Sequence, residues 1–143
     1  MKYRAVFFTR TNNSKRIAEK ISEKLSCEAI QITDNKNWKG ILGFIKAGYY
    51  SSTNKSVDIE VLGNLDAVDE YIVATPLWAG GIAPATRTFL KTIPIDKVHL
   101  VVTSDGSHVK NRSGYLSVSD ITNHNSEELI INNLVNSLLK IKH

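Results

Sequence analysis

VFFTRTNNSKRIAEKI, Val6 to Ile21, is the stretch that decides how this chain folds. An apolar run from Ala5 to Phe8 gives way to a segment crowded with hydroxyl and amide side chains, namely Thr9, Thr11, Asn12, Asn13 and Ser14, with Arg10 and Lys15 beside them. It runs directly into a helical pattern that puts Ala18, Ile21 and Leu25 on one face. A strand, a polar turn and a helix follow from that order. One or two of these polar residues would serve as an N-cap, because Ser, Thr and Asn accept bonds from the orphan N–H groups of a first helical turn. The whole group fits a second role as well, a cradle for an anion. Aligned N–H groups and the helix dipole would hold a phosphate there, with neutral donors added by Thr9, Thr11 and Ser14. The loop alone leaves both readings open.

Working outward, apolar runs keep alternating with helical patterns. Residues 3–8, 28–32, 70–75, 98–103 and 115–121 read as strands, several with Val and Ile at consecutive positions, as strands covered on both faces require. Residues 14–25, 84–93 and 127–141 read as helices, the last with Ile131, Leu134, Val135 and Leu138 on one stripe and Asn125 with Glu128 as a capping box. The segment WKGILGFIKAGYY, Trp38 to Tyr50, also places its large apolar residues on one face and is expected to be helical despite Gly40, Gly43 and Gly48. The result is a three-layer α/β domain around an open parallel five-stranded sheet.

Composition agrees. The 143 residues are 42% hydrophobic and 22% charged, proportions that suit one domain over residues 1–143. No run of about 18 apolar residues occurs, and the chain opens on a lysine and a strand pattern, so a soluble cytoplasmic protein with no membrane partner is expected. Lone Cys27 precludes an internal disulfide and reads as a small buried hydrophobe in a strand. The formal charge of +4 and isoelectric point near 9.2 are spread along the chain, and no nucleic-acid partner is expected.

In open α/β sheets, ligands sit beyond the carboxyl ends of the strands. Three loops occupy that edge here. They are the Thr9–Ser14 turn, PLWAGGIAPATRTFL from Pro76 to Leu90, and SDGSHVKNRSGY from Ser104 to Tyr115. Trp78 falls in the second loop just before Gly80 and Gly81, where glycine lets backbone come close to a flat ligand.

At these residues the chain resembles the flavodoxin-like family of FMN-binding domains. The strand–TRTNNS–helix opening, YIVATPLWAGGIAPATRTFL and GFIKAGYY carry the likeness, continuous from about Lys2 to Ser104 and matched again by the final helix. The family's first loop has a Ser/Thr-x-Thr-Gly-x-Thr pattern around the FMN phosphate. Thr9, Thr11 and Ser14 match its hydroxyl positions, and Asn12 stands where glycine is usual. Asn is among the few other residues that enter the left-handed region readily. The resemblance implies the strand order 2-1-3-4-5 and FMN as cofactor. It also implies a site made of Thr9, Arg10, Thr11, Asn12, Asn13 and Ser14 around the phosphate, Pro76, Leu77, Trp78, Ala79, Gly80 and Gly81 beside the ring, and Ser104, Asp105 and Gly106 across from them. In flavodoxins a peptide beside the ring turns its carbonyl toward N5. Ala79–Gly80–Gly81 would allow such a flip, or would simply make the turn before Pro84 starts a helix.

Other signals are weaker. His99 lies in an apolar strand, His108 and His124 in loops and His143 at the terminus, with no metal-ligand spacing among them. Ser104, Asp105 and His108 have the residue types of a hydrolase triad but no nucleophile-elbow sequence, and Asp66, Asp69 and Glu70 read as a solvated strand boundary. The expected function is that of an FMN-binding redox protein that passes electrons to a partner protein or a small acceptor. An NAD(P)H-dependent quinone reductase is the alternative within that class, and a scaffold domain that has lost the flavin is the alternative outside it. The short chain favours a carrier, while the basic charge is unlike the acidic flavodoxins that dock on basic partners.

One helix is missing from the pattern. A parallel crossover takes about a dozen residues or more and usually a helix, yet Ser104–Gly114 has almost no apolar residues to form one. An extended chain could still return along a short strand, and the direction of the fifth strand stays open. Leu100, Val102, Leu116 and Val118 would then be thinly covered on one face, and a homodimer through that side is expected.

Overall fold

The computed structural model describes residues 1–9, 11–34, 59–78 and 81–141. The helix expected over 38–50, the polar connection at 51–56, and Arg10, Ala79, Gly80 and His143 lie outside the described residues. β1 (Tyr3–Phe7) is followed by α1 (Asn13–Leu25), whose Ile17, Ala18 and Ile21 are fully buried on the face that the sequence pattern marks. α1 stops where Ser26 turns left-handed at φ 55°, and the Cys27 N–H donates to the Ser22 carbonyl at 2.9 Å. Cys27 therefore precedes β2 (Ala29–Asp34) instead of lying in it, and partial burial raises the pKa of its thiol.

β3 (Ile59–Val61) pairs antiparallel with β2, a strand absent from the expectations because its three residues are too few for a periodic signal. β4 (Glu70–Trp78) runs three residues past the expected end at Thr75, because it folds back on β5 (Gly81–Ile82), with Leu77 opposite Ile82 and Trp78 opposite Gly81. α2 (Pro84–Leu90) stops short of Ile93. Thr92 donates both its N–H and its hydroxyl to the Phe89 carbonyl, and Pro94 bars Ile93 from helical geometry. β6 (Val98–Thr103), β7 (Ser117–Ile121) and α3 (Glu127–Ile141) complete the chain. Tyr115 and Leu116 lie before β7 rather than in it. Asn123, not Asn125, caps the start of the last helical segment, accepting from the Ser126 N–H at 3.0 Å, because a 3-10 turn at His124–Ser126 moves the entry upstream.

The sheet order is β3-β2-β1-β4-β6-β7. Its five long strands have the expected 2-1-3-4-5 arrangement, and β7 runs parallel to β6, with Leu100 opposite Val118. Central strands are buried on both faces, as their unbroken apolar runs require. α1 and α3 cover one face around Ile72, Val101 and Ile121. α2 covers the other around Val6, Val73 and Leu100. There the expected bare patch is filled, because Val109 from the 104–116 connection is 6% exposed and packs with Leu100 and Val102, both buried. Leu116 alone of the four stays open, at 46% exposure. Glu70 is also more than a boundary charge, since it meets His99 Nε2 at 2.9 Å while Ser117 Oγ meets His99 Nδ1 at 2.8 Å.

One charged group joins the two helices of the first face. Glu127, 3% exposed at the start of α3, accepts from Arg16 Nη2 at 2.6 Å, Arg16 Nε at 3.1 Å and Lys20 Nζ at 2.9 Å. The hydrogen bond from Arg16 is the main cause that lowers its pKa to about 2. A carboxylate with a depressed folded-state pKa adds stability that is complete above its unfolded value and fades as pH falls towards the folded one. Glu127→Gln should therefore cost about 1–3 kcal/mol at pH 7, discounted for the partly exposed cations. The gap from wild type should close between roughly pH 4.5 and 2 in urea titrations.

Candidate functional site

The carboxyl ends of β1, β4 and β6 form one edge, because all three strands run parallel. At the first of them, Asn12 adopts φ 70° and ψ 3°, the left-handed conformation for which glycine is usual, and opens α1. None of the capping candidates around it does the expected work. The Asn12 side chain makes no cap bond, Asn13 Nδ2 donates to Thr11 Oγ1 at 3.2 Å, and Arg16 Nη1 donates to Asn13 Oδ1 at 2.9 Å. The first turn of α1 carries no acidic residue, and Ser14 is 2% exposed. The Thr9 hydroxyl oxygen is sealed from solvent and has no hydrogen-bond partner among the described residues. Such an orphan costs about 1–3 kcal/mol, so its persistence calls for a reason.

The second loop is tied to the first through aromatic rings. Phe8, next to Thr9, meets Trp78 edge to face with centroids 6.1 Å apart and planes at 72°. Trp78 keeps 38% of its surface exposed. Behind it, Thr75 and Thr86 share a buried hydrogen bond of 2.8 Å that pins α2 to β4, and Arg87 Nη1 donates to the Ile82 carbonyl at 2.9 Å, fastening β5 to α2.

The third loop is held by one carboxylate. Asp120 of β7 accepts from the Val109 N–H at 3.0 Å and from Arg112 Nη1 at 2.6 Å, and Arg112 returns bonds to the Val109 and Val118 carbonyls. Nearer β6, Ser104 Oγ donates to the Ser107 carbonyl at 2.7 Å and accepts the Ser107 N–H at 3.0 Å, a tight turn through Gly106 at φ +93°. With the Ser104 hydroxyl occupied in this way, Ser104, Asp105 and His108 form no hydrogen-bonded triad.

Between α2 and this loop lies an open cleft of about 700 Å³. Five of the expected residues line it, namely Leu77, Trp78, Gly81, Ser104 and Asp105. Pro76 and Gly106 stand in the adjoining backbone but not in its wall, and Thr9 and Thr11–Ser14 sit apart from it at the α1 entrance. The sequence reading missed the far half of the cleft, with Arg87 and Leu90 from α2 and Lys91 just past its end, then Ile95, Val109, Lys110 and Tyr115. The i, i+3, i+4 spacing of Arg87, Leu90 and Lys91 could have shown that these three share a face. Burial raises the pKa of Tyr115 at the far wall, which keeps its phenol protonated.

No protein-family model matches the sequence, and no curated protein matches it either. Solved structures do resemble it. A flavoprotein from Lactobacillus acidophilus, crystallised in complex with FMN, superposes with a TM-score of 0.57 at 15% identity over 90% of this chain and 97% of that one. A protein from Bacteroides uniformis assigned as a flavoprotein gives 0.66 at 19% identity, over 93% and 97%. One from Bacteroides eggerthii gives 0.65 at 14% identity, over 95% and 96%. The fold is flavodoxin-like. Identities this low carry the architecture and nothing finer. Among the described residues, no helix is long and apolar enough to cross a membrane.

The left-handed Asn12 makes a direct test of the first loop. Asn12→Ala should lose about 1–2 kcal/mol of stability, because an alanine Cβ is strained at that φ, while Asn12→Gly should stay within a few tenths of wild type. Thermal unfolding of the two variants checks this.

Proposed function

We propose that the protein binds FMN non-covalently and serves in electron transfer. The observation that carries this reading is the entrance to α1. Among the described residues its N–H groups have no side-chain cap and its first turn no acid, in a segment rich in cap-forming residues, and the Thr9 hydroxyl beside it has no partner. A phosphate supplies what is lacking there. It is an acceptor for the N–H groups, a charge for the helix dipole and, after a rotamer change, a partner for Thr9. Thr11 and Ser14 would complete the cradle, and Arg10 and Lys15 would screen it. The ring would then lie against Trp78, with Leu77 and Gly81 on its side of the edge and Ser104 and Asp105 across the cleft. The FMN complex of the Lactobacillus acidophilus flavoprotein supports a flavin in this architecture. When bound, the flavin supplies one- and two-electron chemistry, and the protein sets its potentials by stacking, nearby charge and hydrogen bonds.

This chain's own residues would bind and orient the cofactor without adding a reacting group. Phe8 holds Trp78 by its edge, so the stacking surface is placed before the ring arrives. Electron transfer to a partner protein is the preferred reading. Reduction of a small acceptor, with NAD(P)H as donor, is favoured by one observation, the continuation of the cleft well past Trp78.

Titration with FMN should turn the protein yellow and quench flavin fluorescence, and FMN should bind more tightly than riboflavin. Equal affinity for the two would remove the phosphate cradle, and binding of neither would leave a scaffold domain. NADPH oxidation by the loaded protein separates reductase from carrier. Trp78→Ala should weaken FMN binding by about 1–3 kcal/mol, as lost stacking on a flat heterocycle does, and should cost the fold only about 0.5–1.5 kcal/mol through the Phe8 contact. Unchanged affinity in that variant would place the ring elsewhere.

A further inference from the structure

The cleft has two ends of different character. Trp78, Ser104 and Asp105 form the end assigned above to the flavin. The other end has an apolar floor of Leu90, Ile95 and Tyr115, with Lys91 and Lys110 at its rim and Arg87 between the two halves. Lys91 and Lys110 are exposed, and among the described residues neither has an ion pair or a hydrogen-bonded carboxylate. Among the described residues Asp105 is the only carboxylate lining the cleft, and it follows the carboxyl end of β6, at the opposite end. Arg87 uses one Nη1 bond on the Ile82 carbonyl, which fixes its guanidinium in place and leaves its other donors available. A volume of about 700 Å³ is within the range of sites that enclose a drug-sized molecule.

We infer that the α2 end of this cleft is a second binding site, for a planar aromatic anion such as an aromatic carboxylate. The apolar floor selects a flat hydrocarbon face. The two unpaired ammonium groups at the rim select a negative charge at the edge of that face, and the protonated Tyr115 phenol adds a donor at the wall. A cationic aromatic would meet Lys91, Lys110 and Arg87 as like charges and be turned away. The site exists because the 104–116 connection crosses without a helix. A crossover helix in that position would stand on the outer side of α2 and fill the groove. The inference uses the flavin reading only to name the Trp78 end, and the anion site itself needs no flavin.

A matched pair of redox-inert probes tests it, 2-naphthoate and its neutral isostere 2-naphthamide, titrated calorimetrically into the protein with and without saturating FMN. The naphthoate should bind about fivefold or more tighter than the amide, the scale expected of two partly solvated charge-assisted contacts. Lys91→Gln with Lys110→Gln should abolish that preference while leaving amide binding and FMN affinity unchanged. Lys91→Arg with Lys110→Arg should restore it. Circular dichroism confirms that each variant folds. Equal affinity for the two probes in wild type, or a preference that survives the double glutamine variant, would overturn the proposal. Mutual displacement of naphthoate and FMN would also overturn it, by placing the anion in the flavin end. Failure of FMN to bind at all would remove the flavin reading and leave the probe comparison intact.

Discussion

Parallel pairing of β6 with β7 constrains everything on the α2 face. Strands that run the same way must be joined by a chain that climbs back over the sheet, and an uncovered crossover leaves apolar strand faces in water. Here the connection does the covering with a single buried apolar side chain, Val109, held against Leu100 and Val102 by the Asp120 carboxylate. Asp120 reaches the Val109 N–H directly and Arg112 at 2.6 Å, and Arg112 closes the ring on the Val109 and Val118 carbonyls. One acidic side chain on the edge strand therefore satisfies backbone groups that a helix would have satisfied for itself. A charge-assisted bond to a mostly buried carboxylate is stronger than a neutral one, which suits a link that has no helical cooperativity to support it.

A cover this thin shapes the site. A helical crossover would run alongside α2, whereas a loop folded down onto the sheet leaves the outer side of α2 open. The cleft follows from that difference, with Arg87, Leu90 and Lys91 on one wall and Lys110 and Tyr115 on the other. The near end of the cleft is fixed separately, by the pairing of β4 with β5 and by the Phe8–Trp78 contact that links it to the first loop. Two independent supports, one on each side, hold a cavity with polar and apolar walls in place without any residue of the sheet core taking part.

The elements legible in the sequence were those with long, consistent periods. The five long strands and the extent of α3 follow from apolar runs rich in Val and Ile and from the Ile131, Leu134, Val135 and Leu138 stripe, since burial on both faces leaves little room for another reading, whereas the strand order comes from the resemblance and not from the runs. β3 escaped because a three-residue edge strand is set by its partner and is too short for a periodic signal of its own. The end of β4 was misplaced because Pro76 reads as a stop, yet its carbonyl still accepts from the Ala83 N–H at 3.4 Å in the hairpin. Of the site, the halves at Trp78 and Ser104 were visible as loops at strand ends. The cationic half was not, because a lone lysine in a polar loop carries no pattern until the fold puts it opposite another. Val109 was hidden for the same reason, one apolar residue in SDGSHVKNRSG whose burial is decided by Asp120 eleven positions away.

The polar crowd after β1 gains its meaning from a comparison within the molecule. α3 begins as an isolated helix prefers to begin. Asn123 caps the preceding turn, and Glu127 and Glu128 set negative charge in its first turn. α1 begins next to Thr9, Thr11, Asn12, Asn13 and Ser14, a group as rich in cap-forming residues as the Thr122, Asn123, Asn125 and Ser126 that precede α3, yet among the described residues none of them caps it. Asn13 is bonded to Thr11 and to Arg16, the Thr9 hydroxyl has no partner among the described residues, and no acid in the first turn offsets the dipole. If capping were the purpose, substitution of a single residue for a left-handed Asn12 would have achieved it at less conformational cost. An arrangement that spends five polar residues and still leaves N–H groups open is consistent with a helix end whose missing acceptor is brought by a ligand.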